Sequence, residues 1–94
     1  MKAEIKDKLI HLVDLYEKSY LHVGEGHLLM ILAEFSECIS ELLPAIDVKK
    51  QKELETLLVQ MLAAMEKKDF VLVNDILTFK MKGFIHKLRV VIVH

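Results

Sequence analysis

Two pairs of carboxylates have the clearest spacing for chemistry in this chain. Glu34 and Glu37 are three residues apart, and Glu66 and Asp69 repeat that spacing further along. Residues three apart are neighbours on an α-helix, and carboxylate oxygens are ligands that Mg²⁺ prefers. The two pairs therefore raise the possibility of a magnesium site between helices.

This spacing resembles the paired acidic motifs of the all-α nucleotide pyrophosphohydrolases. The resemblance implies metal-dependent hydrolysis of a nucleotide by helix carboxylates, which we keep as the alternative function. Helical periodicity opposes it, because Glu37 and Glu41 fall on the side away from the apolar stripe of their helix and are predicted to face solvent. Glu66 and Asp69 flank a predicted helix boundary, where a rigid ligand pair is difficult to build.

Histidine and cysteine offer little more chemistry. His22 and His27 flank a glycine turn with Glu25 between them, which leaves a metal site open but without a fourth ligand nearby in sequence. Cys38 is the only cysteine, so a disulfide within the chain is impossible. Acidic residues one turn away on either side are expected to raise its pKa and oppose a reactive thiolate. We predict no catalytic residue and no cofactor.

Length and composition indicate one globular domain over 1–94. The chain has 94 residues, of which 53% are hydrophobic and 29% charged, with a formal net charge of −1. This balance gives no overall attraction for nucleic acid or anionic membranes. The first residues alternate charges where a signal peptide needs an apolar run, and no stretch approaches the roughly 20 apolar residues of a membrane span. We therefore expect a cytoplasmic chain without a membrane span.

Four segments repeat apolar residues at helical spacing, with short connections between them. Gly24 and Gly26 are predicted to separate the first two helices, Pro44 to end the second, and Asp47 and Asp69 to cap the third and fourth. The predicted core stripes are Ile5, Leu9, Leu12, Val13, Tyr16 and Tyr20; Leu28, Leu32, Phe35, Ile39, Leu42 and Ile46; Leu54, Leu58, Met61, Leu62 and Met65; and Phe70, Val73, Leu77, Met81, Phe84, Leu88 and Val91. The pattern predicts an all-α, antiparallel up-and-down four-helix bundle. The β-branched residues at 90–93 leave the conformation of the last five residues open.

The fourth helix has a second apolar stripe on roughly the opposite side from its core stripe. Its members are Leu72, Ile76, Phe79, Gly83 and Val90. One bundle core cannot cover both sides, so the helix either lies centrally between neighbours or presents the second stripe to another molecule. We predict that the second stripe is an interface, with Gly83 allowing a partner backbone to approach. The partner is a second copy of the chain in a homodimer, or an amphipathic helix of a client protein.

The segment LAAMEKKDFVLVNDILTFKMKGFIHKL, residues 62–88, resembles the C-terminal half of small bacterial flagellar export chaperones. It is also similar to uncharacterised small helical proteins of Gram-positive bacteria. The shared pattern is an apolar helix, a short turn with an acidic residue, and a second amphipathic helix. The resemblance implies a bacterial, chaperone-like protein that binds a client helix and has no catalytic residue.

Overall fold

A computed structural model of the chain describes residues 2–88. These residues form four helices without a strand, which confirms the predicted all-α four-helix bundle. The helices are α1 (Lys2–Ser19), α2 (Glu25–Leu42), α3 (Val48–Glu66) and α4, which runs without a break through Phe70–Asp75, Ile76–Met81 and Lys82–Lys87.

Contacts between helix ends establish the antiparallel order. The hydroxyl of Tyr16, late in α1, donates to the backbone carbonyl of Phe70 at the start of α4, at 3.0 Å. The ammonium of Lys6, early in α1, donates to the backbone carbonyl of Leu88 just after α4, at 2.7 Å. α1 and α4 therefore run in opposite directions along their shared boundary.

The predicted helix ends are largely confirmed. Pro44 lies in a 3₁₀ turn, Leu43–Ala45, that follows α2 and ends it. The carboxylates of Asp47 and Asp69 each accept a hydrogen bond of 3.0 Å from a backbone N–H in the first turn of α3 and α4. Gly24 caps α2, but Gly26 lies inside the first turn of that helix and not in the break.

The turn between α3 and α4 is short because the chain reverses at one residue. Lys68 has a φ of 57°, in the left-handed region that few residues other than glycine adopt. The backbone N–H of Asp69 then donates to the carbonyl of Ala64 at 2.9 Å, which closes the end of α3.

The core contains the predicted stripes of α1 and α2, while α3 and α4 differ in detail. Leu62, predicted in the core of α3, is 50% exposed, and Ala64 is buried in its place. The small side chain of Ala64 lets α4 approach α3 on that side. In α4, Val73, Leu77, Met81 and Leu88 are buried as predicted.

The centre of α4 departs from an α-helix. Ile76–Met81 is π-helical, and its hydrogen bonds run from residue i to i+5. Ile76 and Met81, which are five residues apart, are both buried. The wider turn shifts the buried face beyond it, so Ile85 is fully buried and Phe84, predicted in the core, is half-buried. Val91 lies outside the described residues.

The helices contact each other unequally around the bundle. α1 packs against both α2 and α4, and α4 packs against α3, whereas α2 and α3 make few contacts with each other. α4 is therefore covered from two sides, by α1 and by α3. Within residues 2–88, no helix is long and apolar enough to cross a membrane.

Candidate functional site

The predicted second stripe of α4 divides into exposed and buried residues. Phe79 is 76% exposed and Leu72 is 43% exposed, and Gly83 is exposed as well. Ile76 is only 4% exposed, because the helix is covered by α3 as well as by α1. Its side chain belongs to the core, so the surface part of the stripe is formed by the other members. Val90 lies outside the described residues.

A groove of about 300 Å³ runs beside Leu72, between α3 and α4. Ala63 and Ala64 of α3 and Leu72 and Ile76 of α4 form its apolar lining, and Gln60, Lys67 and Lys80 its polar lining. The ammonium of Lys80 donates to the side-chain oxygen of Gln60 at 3.3 Å across this boundary.

No close contact within the chain requires a glycine at position 83. Apart from its chain neighbours and the backbone of its own helix, a Cβ atom built at this position would meet no atom within 4 Å. A glycine in a helix interior costs about 1 kcal/mol relative to alanine. No contact among the described residues offsets that cost.

A second and larger groove lies between α2 and α3, and the sequence did not predict it. Its volume is about 610 Å³, and its lining residues are Leu29, Val59, Leu62, Ala63, Met65 and Glu66. Leu29 is 39% exposed and Val59 is 65% exposed. Both are apolar residues that lie off the core stripes of their helices, which was the available signal. The groove exists because α2 and α3 make few contacts with each other.

The boundary between α1 and α4 is closed by polar contacts. The ammonium of Lys82 donates to the carboxylate of Asp14 at 2.6 Å, and this bond lowers the pKa of Asp14. Thr78 donates to Glu17 at 3.3 Å. Burial raises the pKa of the Tyr16 phenol well above its usual range, with the negative charges of Tyr20 and Asp69 as lesser causes. These groups hold two helices together and do not line a groove among those described above.

The four carboxylates of the hydrolase-like pattern are all exposed. The Asp69 carboxylate accepts the hydrogen bond that caps α4. Among the described residues, no three His, Cys, Asp or Glu side chains come close enough together to hold a metal ion. His22, before Gly24, and His27, in the first turn of α2, are both exposed. The carboxylate of Glu25 lies 3.5 Å from the ammonium of Lys68.

Cys38 is buried in the core as a free thiol. Burial raises its pKa, and Glu41, Glu34 and Glu37 add to the rise, while Lys8 lowers it. The direction agrees with the prediction, although burial is the larger cause. A raised pKa leaves little thiolate at neutral pH.

Comparison of the chain with protein-family models, with curated proteins and with solved structures finds no match.

Proposed function

We propose that this chain is a non-enzymatic protein-interaction module whose working surface is the exposed apolar part of α4. The observation that carries the proposal is Phe79, an aromatic residue in the middle of a helix with 76% of its surface exposed. Leu72 lies seven residues earlier on the same helix and is also exposed. Covering apolar surface contributes about 25 cal/mol per Å², so burying these two side chains favours association.

The simplest partner is a second copy of the chain. In a two-fold dimer, the α4 helices of two copies lie against each other and Phe79 of each contacts the other copy. Such an interface needs about 800 Å² per partner, which α4 together with the neighbouring surface of α3 can supply. Gly83 allows the two backbones to approach closely.

The test is the mass of the chain in solution, measured by sedimentation over a range of concentrations. The wild type is expected to dimerise. The variant with Leu72→Glu and Phe79→Glu is expected to be a helical monomer, because an interface centre tolerates unpaired charge poorly. The matched control is Leu21→Glu with Val48→Glu, which adds the same charge at exposed apolar residues elsewhere, and it should still dimerise.

A client helix is the other partner that we propose for this surface. The resemblance of residues 62–88 to flagellar export chaperones supports this partner, and on the same ground we propose a location in the bacterial cytoplasm. If the wild type is monomeric at high concentration, client binding remains the proposal. A chain that neither dimerises nor retains a host protein through Phe79 would contradict the proposed function.

The alternative, a metal-dependent nucleotide pyrophosphohydrolase, has no observation among the described residues in its favour. Changing Glu34, Glu37 and Glu66 together to Gln is expected to leave the melting temperature and the association nearly unchanged, since all three are exposed. Magnesium-dependent nucleotide hydrolysis by the wild type that this triple variant loses would establish the alternative instead.

A further inference from the structure

Four residues of α4 form a line along its exposed side. They follow each other at steps of four and are all exposed: Asp75, Phe79, Gly83 and Lys87. In a regular α-helix, three steps of four residues rotate the side-chain direction by about 120°. The π-helical segment Ile76–Met81 takes up one extra residue, which reduces this rotation to about 20°. The four residues therefore share one face of α4, and we call them the exposed line.

The exposed line is symmetric about position 81. Phe79 precedes this position and Gly83 follows it by two residues. Asp75 precedes it and Lys87 follows it by six residues. When two copies of a helix pack antiparallel around a two-fold axis at this level, each residue faces the one that lies equally far beyond the axis in the other copy. Phe79 of one copy then faces Gly83 of the other, and Asp75 likewise faces Lys87.

Phe79 and Gly83 fit each other as a projecting side chain and an open space. The Phe79 side chain is 76% exposed. At Gly83, apart from its chain neighbours and the backbone of its own helix, no atom lies within 4 Å of where a Cβ would stand. The ring of one copy has room over the glycine of the other, and burying the ring there offsets the helix stability that a glycine costs.

The charges of the exposed line favour a second copy in antiparallel orientation. Among the described residues, neither Asp75 nor Lys87 is part of an ion pair. The antiparallel pairing places each carboxylate opposite an ammonium, twice in the dimer, whereas a parallel pairing would place like charges opposite each other at both ends. Lys80 and Lys82 instead donate to side chains of α3 and α1.

We infer that α4 packs antiparallel against α4 of a second copy, with the ring of Phe79 over Gly83 of the other copy. Asp75 of each copy forms an ion pair with Lys87 of the other. This pairing rests on the function proposed for α4. It selects a second copy over a client helix because the exposed line is complementary to itself in both shape and charge.

Charge reversal tests the pairing through the dissociation constant of the dimer, measured by sedimentation. Asp75→Lys alone and Lys87→Asp alone are each expected to weaken dimerisation about tenfold, because two attractive pairs become repulsive. Both changes in one chain restore opposite charges across the contact, so the double variant should dimerise within about threefold of the wild type. The charge-matched controls are Asp7→Lys on α1 and Lys52→Asp on α3, both at exposed residues, and they should dimerise as the wild type does.

Filling the space at Gly83 tests the contact with Phe79. Gly83→Leu should weaken dimerisation at least about tenfold, because the new side chain takes the place of the ring. Gly26→Leu is the matched control, since Gly26 is also exposed and helical with no atom near its Cβ position, and it should leave dimerisation unchanged. At low protein concentration, the melting temperature of Gly83→Leu by circular dichroism should not fall, because leucine favours a helix more than glycine does.

The outcomes separate this pairing from the function proposed for α4. Weaker dimerisation in each single reversal, recovery in the double variant and a loss in Gly83→Leu but not in Gly26→Leu would support the pairing. If Leu72→Glu with Phe79→Glu abolishes dimerisation while the single reversals leave it unchanged, α4 is the interface and the antiparallel pairing is wrong. A wild type that stays monomeric at high concentration would overturn the pairing and leave the client helix as the proposed partner.

Discussion

The α1–α4 boundary and the α2–α3 boundary have opposite characters in this bundle. Across the first, Tyr16 donates to the Phe70 carbonyl and Lys82 to Asp14. Across the second, α2 and α3 make few contacts, and Leu62 is left half-exposed beside a groove. Amphipathic helices of similar length therefore close one boundary and leave the other open. The open boundary leaves apolar side chains such as Leu62 and Val59 exposed.

The largest loss in the free energy of unfolding is expected from Tyr16→Ala, at the closed α1–α4 boundary. Tyr16 is fully buried and its ring stacks on Tyr20, with centroids 5.9 Å apart. Truncating a buried aromatic residue costs about 3–5 kcal/mol. Urea denaturation should show that loss in the free energy of unfolding. A loss below about 1 kcal/mol would mean that the boundary is not closed as described.

A smaller loss, about 1 kcal/mol, is expected from Tyr16→Phe, which removes only the hydrogen bond to the Phe70 carbonyl. The raised pKa of Tyr16 adds a pH dependence. The neutral phenol stabilises the fold fully below the unfolded pKa of about 10, and that stability is lost as pH rises above it. The difference between wild type and variant, measured by urea denaturation, should therefore narrow above about pH 10. If the difference in free energy of unfolding between wild type and Tyr16→Phe stays constant above about pH 10, the neutral Tyr16 phenol does not stabilise the fold as described.

At the open boundary, Leu62→Ala should lower the free energy of unfolding by less than about 1 kcal/mol, since half of the side chain is already exposed. Urea denaturation of Leu62→Ala and Tyr16→Ala under the same conditions compares the two losses in the free energy of unfolding directly. A loss as large as that of Tyr16→Ala would show that the α2–α3 groove is closed in solution.

The smallest change in stability is expected from Asp14→Asn, because the ion pair that Asp14 forms with Lys82 is partly exposed. The pKa of Asp14 is lowered in the folded chain. Its contribution is present above the unfolded pKa of about 3.9 and is lost as pH falls through the lower folded pKa. Melting temperatures of wild type and variant should differ slightly at pH 7 and converge in acid. Melting temperatures that converge at alkaline pH instead would contradict the lowered pKa of Asp14.

Much of the fold could be predicted because local rules determine it. Asp47 and Asp69 cap helices through their own first turns, and Pro44 cannot continue one, so sequence alone places these ends. The stripe of α2 was predicted correctly because that helix is α-helical throughout and has one buried face.

The remaining features depend on how helices pack, which periodicity does not encode. Ile76 is buried because α4 has α3 on one side and α1 on the other. Ala64 replaces Leu62 in the core because α4 lies on that side of α3. The α2–α3 groove follows from the distance between two helices, and no residue type specifies that distance. Of the predicted interface, Leu72, Phe79 and Gly83 are exposed as an interface requires, and their contact with a partner stays a prediction.

The π-helical segment makes the effect of losing one residue from α4 depend on where that residue lies. A π-helical turn contains one residue more than an α-helical turn. Deleting one residue within Ile76–Met81 would therefore allow a regular α-helix there and leave the following residues on nearly the same faces. Ile85 would stay in the core, and the Leu88 carbonyl would stay near Lys6. Deleting one residue from an α-helical stretch such as Phe70–Asp75 would instead rotate everything after it by about 100°. The two parts of this helix therefore differ in how well they tolerate the loss of one residue.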